Sequence, residues 1–327
     1  MKSMFRNDLP QRVFINEVAT RDGFQSEAIF VPTEQKIALV DQLSQTGLNK
    51  IEVTSFVSPK AIPNLRDAET VMQQITRNPE ITYVALVPNE KGCERALACN
   101  VDEINVVMSV SETHNMANMR MTRAQSLQQF ARISALLSDS TMRINGSIST
   151  AFGCPYEGLM SRQATLDVVD QMLDAGIQSI SIADTTGMAE PVQVYELCSE
   201  VRARYPELEL TLHLHNTRGM GLANVLAGLA AGIDQFDSSL GGIGGCPYAP
   251  GATGNICSED LIHMLESMAI DTGVDLDALL KLSRQLPELL GHDVPGQINK
   301  AGLRSEVRPA PAGLGQKDSP AAQRPSE

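Results

Sequence analysis

The sequence predicts an α/β fold, a closed (β/α)8 TIM barrel with extra C-terminal helices. Short runs rich in β-branched and apolar residues alternate with longer stretches of helical pattern, which reads as a parallel sheet with helical crossovers. Eight such units fit in the chain, the number that closes a barrel. No Gly-x-Gly-x-x-Gly turn follows the first strand, so an open doubly wound sheet fits less well.

The units run in order along the chain. Val13 to Val18 is the first strand and Glu34 to Gln45 its helix; Lys50 to Thr54 leads to Leu65 to Arg77. Thr82 to Val87 precedes Glu90 to Ala98, and Asp102 to Met108 precedes Arg123 to Leu137. Met142 to Ser149 is followed by Arg162 to Ala175, and Ser179 to Ala183 by Pro191 to Tyr205. Glu209 to Leu214 leads into Leu222 to Ala231, and Gln235 to Ser238 into Glu259 to Glu266. The strands read as near-continuous apolar runs, as parallel strands buried on both faces should. Leu276 to Leu290 adds one or two helices. Residues 1–303 are thus expected to be the barrel domain with its C-terminal helices. Residues 304–327, rich in Pro, Ala, Gly and Ser, are expected to be a disordered tail.

Composition narrows the function. With 327 residues, 43% hydrophobic and 20% charged, the chain suits a packed globular protein. A net charge of −13 excludes nucleic acid or an anionic membrane as the main partner, since both attract a basic field. Trp is absent and aromatics are 4%, which leaves little to stack on bases. The six cysteines form no Cys-x-x-Cys pair, so a reducing compartment, the cytoplasm, is expected. Residues 1–10 carry no apolar segment of a signal peptide, and no run reaches the ~18 apolar residues of a membrane helix.

In such a barrel the chemistry collects at the C-terminal ends of the strands. Arg21 and Asp22 follow the first strand, Glu52 closes the second, Asp184 follows the sixth, and His213 and His215 end the seventh. Cys246 and Asn255 lie in the glycine-rich loop after the eighth, where glycine permits close backbone approach to a ligand. His213 and His215 are two apart in a strand, so both imidazoles point to one side and are able to share a metal. Asp22 adds a charged oxygen and Asn255 a neutral one; two nitrogens and two oxygens leave room in an octahedral shell for a substrate. That suits Mg²⁺ or Mn²⁺, with Zn²⁺ the alternative that histidine pairs favour by affinity. Arg21 offers a fixed cation beside a developing anion. Glu52 and Asp184 are carboxylates for acid–base work or for orienting ligands. Cys246 is a candidate proton carrier, whereas Cys154, in the matching tetrapeptide Gly153-Cys154-Pro155-Tyr156, is expected to be structural. The Met-rich stretch Met108 to Met121 reads as a loop in which Asn115, Asn118 and Arg120 could meet a ligand.

From about Val13 to Gly302 the chain resembles the 3-hydroxy-3-methylglutaryl-CoA lyase family of metal-dependent barrel lyases, related to the Claisen-type synthases. The motifs are Thr20-Arg21-Asp22-Gly23-Phe24-Gln25, Ile51-Glu52-Val53-Thr54-Ser55-Phe56-Val57-Ser58-Pro59-Lys60, Gly153-Cys154-Pro155-Tyr156-Glu157-Gly158, Asp184-Thr185, His213-Leu214-His215 and the Cys246 to Asn255 loop. The resemblance implies that Asp22, His213, His215 and Asn255 ligate a divalent cation, that Arg21 stabilises the departing enolate, and that Cys246 passes a proton. It implies supporting roles for Glu52, Gln25 and Asp184. It also implies an acyl-CoA substrate, 3-hydroxy-3-methylglutaryl-CoA or a relative such as citramalyl-CoA or a longer branched 3-hydroxyglutaryl-CoA, and a homodimer. The chain departs from the usual His-x-His-Asp-Thr-Tyr-Gly at Asn216 and Arg218; the latter could meet a substrate carboxylate.

Overall fold

All eight strands form, and they close on themselves. In the computed structural model, which describes residues 9–245 and 254–309, they are Phe14–Glu17, Lys50–Ser55, Thr82–Leu86, Glu103–Ser109, Arg143–Ser149, Ser179–Asp184, Glu209–Leu214 and Gln235–Ser238. Every neighbouring pair is parallel, and the first strand pairs with the last from Phe14 opposite Gln235 to Glu17 opposite Ser238. Closure removes the unpaired edges that an open sheet would expose.

The outer ring consists of Thr33–Leu43, Ala68–Gln74, Glu90–Ala98, Arg123–Leu136, Arg162–Asp174, Pro191–Arg204, Gly221–Ala230 and Ser258–Ser267. Local chemistry sets several of their starts. Thr122 and Gln125 form a reciprocal capping box, and Ser161 Oγ accepts from the Ala164 amide at 3.2 Å. Glu190 caps a helix whose first residue is Pro191, which has no amide proton to leave unsatisfied. Two helices, Leu276–Ser283 and Leu286–Leu290, fill the stretch expected to hold one or two, and Ile298–Ala301 follows. Most of the expected disordered tail, from residue 310, lies outside the described residues.

Three local features bear on the sequence reading; two depart from it and one agrees. The Met108 to Met121 stretch is not a loop but carries the helix Glu112–Met119, started by Ser111 Oγ accepting from the His114 amide at 3.0 Å. Asn115 is fully buried there: its Oδ1 accepts from the Ser109 amide and its Nδ2 donates to Met121 O and Ser126 Oγ, so it ties the chain rather than meeting a ligand. The Gly-Cys-Pro-Tyr-Glu-Gly motif folds as a small hairpin, Gly153–Cys154 against Gly158–Leu159, with the Cys154 thiol buried 3.0 Å from Ser111 Oγ. This is the structural placement expected of that cysteine.

The other departure concerns the strand faces. The strands are buried, yet their inward face is polar rather than apolar. Ile51, Ile104, Ile180 and Leu212 alternate with Lys50, Glu103, Ser181 and Thr211, and the polar set meets at the barrel centre. Cross-strand hydrogen bonds satisfy it: Asn105 Nδ2 donates to Glu52 Oε1 at 3.1 Å, and Asn145 Nδ2 donates to Asn105 Oδ1 at 3.1 Å and Ser181 Oγ at 3.0 Å. At the N-terminal end, Lys50 Nζ lies between Glu103 and Glu209 at 2.7–3.0 Å and closes the base. The apolar core sits between the strands and the helical ring. Among the described residues no helix is long and apolar enough to cross a membrane.

Candidate functional site

The upper rim assembles from four distant stretches. After the first strand, Ala19–Gly23 forms a single π-type turn with three amides, those of Arg21, Asp22 and Gly23, directed at Val18 O. That tight coil places the Arg21 and Asp22 side chains back over the barrel mouth. Arg21, 8% exposed, donates through Nε to Glu52 Oε2 at 2.6 Å and through Nη1 to Asp22 Oδ1 at 2.5 Å. Burial alone would weaken the guanidinium as a base, but the Asp22 and Glu52 carboxylates more than reverse this and keep it charged. Glu52 is itself pushed up by burial against the pull of Arg21.

His213 and His215 share a face, as their spacing predicts, with their Nε2 atoms 3.1 Å apart. Ligand atoms of Asp22, His213 and His215 all lie within 4.8 Å of one another. Burial would raise the Asp22 carboxyl, yet Arg21 and the two imidazoles hold it well below the usual carboxylate range. Burial and the neighbouring His213 bring His215 down to about 4, so it is neutral near pH 7 and keeps a lone pair. His213 is shifted upwards; burial opposes this, and the hydrogen bond and charge of Asp237 outweigh it.

Asn255 arrives from the far side of the eighth-strand loop. The Gly254 carbonyl accepts from the Asn216 amide at 2.9 Å and the Ile256 amide donates to Leu214 O at 3.0 Å, which locks Asn255 beside His215. Its Nδ2 donates to Asp22 Oδ2 at 2.7 Å and to Ile243 O at 3.2 Å. Its Oδ1 is buried with no partner among the described residues. Glycine is required at the root of this loop. A Cβ at Gly244, where φ is +116°, would stand 2.5 Å from Asn255 Nδ2, and one at Gly254 would stand 1.9 Å from Gly244 O.

These atoms fit a divalent cation. Adjacent positions on an octahedral ion with ligands at ~2.1 Å lie ~3.0 Å apart, close to the separation of the two imidazole nitrogens. An orphaned amide oxygen and two facing nitrogens next to a carboxylate anticipate a positive centre better than they satisfy one another.

The remaining expected residues are placed as follows. Asp184 ends the sixth strand in register with Leu214, one step out of phase with the imidazoles, and its Oδ1 accepts from the Met188 and Ala189 amides. Its Oδ2 is buried without a partner among the described residues, and burial raises its pKa to about 6 against those two amides. Arg218 is exposed, and its Nη1 donates to Thr186 O at 2.8 Å and Gly187 O at 2.9 Å, which bridges the loops after the sixth and seventh strands. Gln25 is half-buried with its Oε1 unpartnered among the described residues. Cys246 lies outside the described residues. Sequence reasoning missed Asp237, whose Oδ2 is 3.1 Å from His213 Nδ1. A charged residue near the end of a barrel strand was the available signal.

A parallel barrel with a buried arginine and a two-imidazole, one-carboxylate cluster at its C-terminal face defines a barrel enzyme with a candidate metal centre. The chain matches the HMGL-like family over residues 12–286. It is 43% identical to the hydroxymethylglutaryl-CoA lyase YngG of Bacillus subtilis, over 88% of this chain and 96% of that one. It is 38% identical to the (R)-citramalyl-CoA lyase of Chloroflexus aurantiacus, over 89% of this chain and 95% of that one. The structure of an HMG-CoA lyase from Acinetobacter baumannii in complex with coenzyme A and 3-methylmalate superposes with a TM-score of 0.89 at 53% identity, covering 92% of this chain and 98% of that one. The chain belongs to the HMGL-like family and is a carbon–carbon lyase of the hydroxymethylglutaryl-CoA lyase type.

Proposed function

We propose that the protein cleaves 3-hydroxy-3-methylglutaryl-CoA to acetyl-CoA and acetoacetate, with Asp22, His213, His215 and Asn255 holding one divalent cation of the Mg²⁺ or Mn²⁺ type. The observation that carries the reading is the shared use of Asp22: one oxygen accepts from the buried Arg21, and the carboxylate also belongs to the imidazole cluster. A fixed guanidinium and a cation site therefore stand side by side. The cation, when bound, supplies Lewis acidity that lowers the pKa of the substrate hydroxyl.

The protein's own groups do the rest. The hydroxyl proton leaves to one of the site's bases. The C2–C3 bond breaks, its electrons pass to the thioester as an enolate, and the hydroxyl carbon becomes the ketone of acetoacetate. Arg21 stabilises the enolate, with Glu52 fixing the guanidinium plane. Cys246 returns a proton to the carbanion; Gln25 and Asp184 line the substrate's approach, and Arg218 takes a substrate carboxylate. The same reading takes the working unit as a homodimer and its compartment as a reducing cytoplasm; the five described cysteines, all buried and free, support the second of these.

Citramalyl-CoA is the second reading, favoured by the Chloroflexus relative. It lacks one methylene between the hydroxyl carbon and the carboxylate, a difference that a pocket discriminates by about 1–3 kcal/mol. Incubation with each thioester and Mg²⁺, with products identified by mass, separates the two. Acetyl-CoA and acetoacetate from the glutaryl thioester are expected. Acetyl-CoA and pyruvate from citramalyl-CoA alone would replace the first reading with the second, and no acetyl-CoA from either would end both.

Asn255→Ala tests the ligand set. Removing the orphaned amide oxygen should raise the Mn²⁺ concentration for half-maximal activation at least about tenfold. Unchanged metal dependence would take Asn255 off the list of ligands.

A further inference from the structure

Asn16, Asp237 and His213 stand on one rung of the barrel. Asn16 on the first strand is the register partner of Asp237 on the eighth, and Asp237 is the register partner of His213 on the seventh. All three side chains turn to the same interior face and bond laterally. Asn16 Nδ2 donates to Asp237 Oδ1 at 3.0 Å, and Asp237 Oδ2 lies 3.1 Å from His213 Nδ1. Behind Asn16, the Asn49 amide reaches its Oδ1 at 3.5 Å. The Asp237 carboxylate is thus clamped on one side by an amide donor and directs its other oxygen at a ring nitrogen.

We propose that Asp237 is a positioning residue: it holds His213 as the Nδ1–H tautomer and so delivers the Nε2 lone pair to the cation site, with Asn16 fixing Asp237 in turn. A carboxylate acceptor requires the proton on Nδ1, and a neutral ring with that proton is bare at Nε2. The bare nitrogen faces His215 Nε2 at 3.1 Å, on the side where Asp22 gathers. The device is asymmetric. His215 Nδ1 is buried with no partner among the described residues, so one imidazole is set by a carboxylate and the other is set by the backbone that pairs His215 with Asn255. Had Asp237 served only to join strands, its bond to Asn16 would suffice, and the second oxygen would not need to meet a metal-ligand ring.

The inference rests on the metal reading above, and its test separates the two. Calorimetry measures Mn²⁺ binding to the substrate-free protein for wild type, His213→Ala, Asp237→Leu and Asp237→Asn, and ¹⁵N spectra of histidine-labelled wild type read the His213 tautomer, which is assignable among five histidines. The Nδ1–H form is expected in wild type. Asp237→Leu should bind Mn²⁺ about ten to a hundredfold more weakly, while Asp237→Asn, which keeps an acceptor, recovers most of that loss. An Nε2–H tautomer in wild type, or Asp237→Leu binding as tightly as wild type, overturns the proposal; the spectrum decides even if the leucine variant fails to fold. Wild type that does not bind Mn²⁺, or His213→Ala that binds it unchanged, overturns the metal reading instead, and the tautomer still decides the role of Asp237.

Discussion

Arg21→Met should lower kcat by about 10³–10⁵ and leave KM within a few-fold, the range seen when an arginine that stabilises transition-state charge is removed. The size of the effect follows from how the guanidinium is held. Two of its donors are spent on Glu52 and Asp22, so it is already oriented before any substrate arrives. Little water surrounds it at 8% exposure, so its field acts in a medium that screens weakly. Methionine matches the stem and leaves no charge. Because the enolate charge exists only as the carbon–carbon bond breaks, the loss belongs to the transition state and not to binding. The check is steady-state kinetics with metal affinity measured in parallel, since Asp22 stays in place. A variant within tenfold of wild type would remove the enolate role from Arg21.

What the sequence made legible depended on periodicity. Strand positions were readable because β-branched runs sit between strong helical patterns, and two strands, Glu209–Leu214 and Gln235–Ser238, form with the expected bounds. The imidazole pair was readable for the same reason, since a separation of two residues in a strand fixes one face. The polar lining of the barrel was not. In Ser179-Ile180-Ser181-Ile182 the outward isoleucines dominate an average over both faces, and only the closed sheet reveals that Ser181 meets Asn145 across the interior. Asp237 was hidden for a related reason: nothing within a four-residue strand says that its register partner is His213. The helix Glu112–Met119 was obscured by Asn115 and Asn118, residues common in loops, although Asn115 is buried and spends its amide on tying the flanking chain together.

At the opposite end of the barrel the same polar interior serves stability, and there the largest effect should be on folding alone. Lys50→Met should cost about 3–5 kcal/mol of stability near neutral pH, the usual loss when one partner of a buried ion pair is removed. Lys50 donates to both Glu103 oxygens and to Glu209, and Glu103 is only 2% exposed. Without the ammonium, Arg143 at 3.6 Å is the cation left near Glu103 among the described residues. Burial already raises the Glu103 pKa against the pull of Lys50, and the substitution raises it further. The sign follows. Below the ordinary carboxylate range the group is protonated in both folded and unfolded chains, so the variant buries no charge. As pH climbs through that range the unfolded chain releases the proton freely while the folded one must retain it or bury an anion with only the more distant Arg143 beside it, and stability falls. Urea unfolding should therefore find the variant closest to wild type near pH 4.5 and furthest from it near pH 7.5. An equal loss at both would mean that packing, not the stranded carboxylate, is responsible. Because the N-terminal face of such a barrel carries stability and the C-terminal face carries chemistry, the folded fraction should keep its kcat.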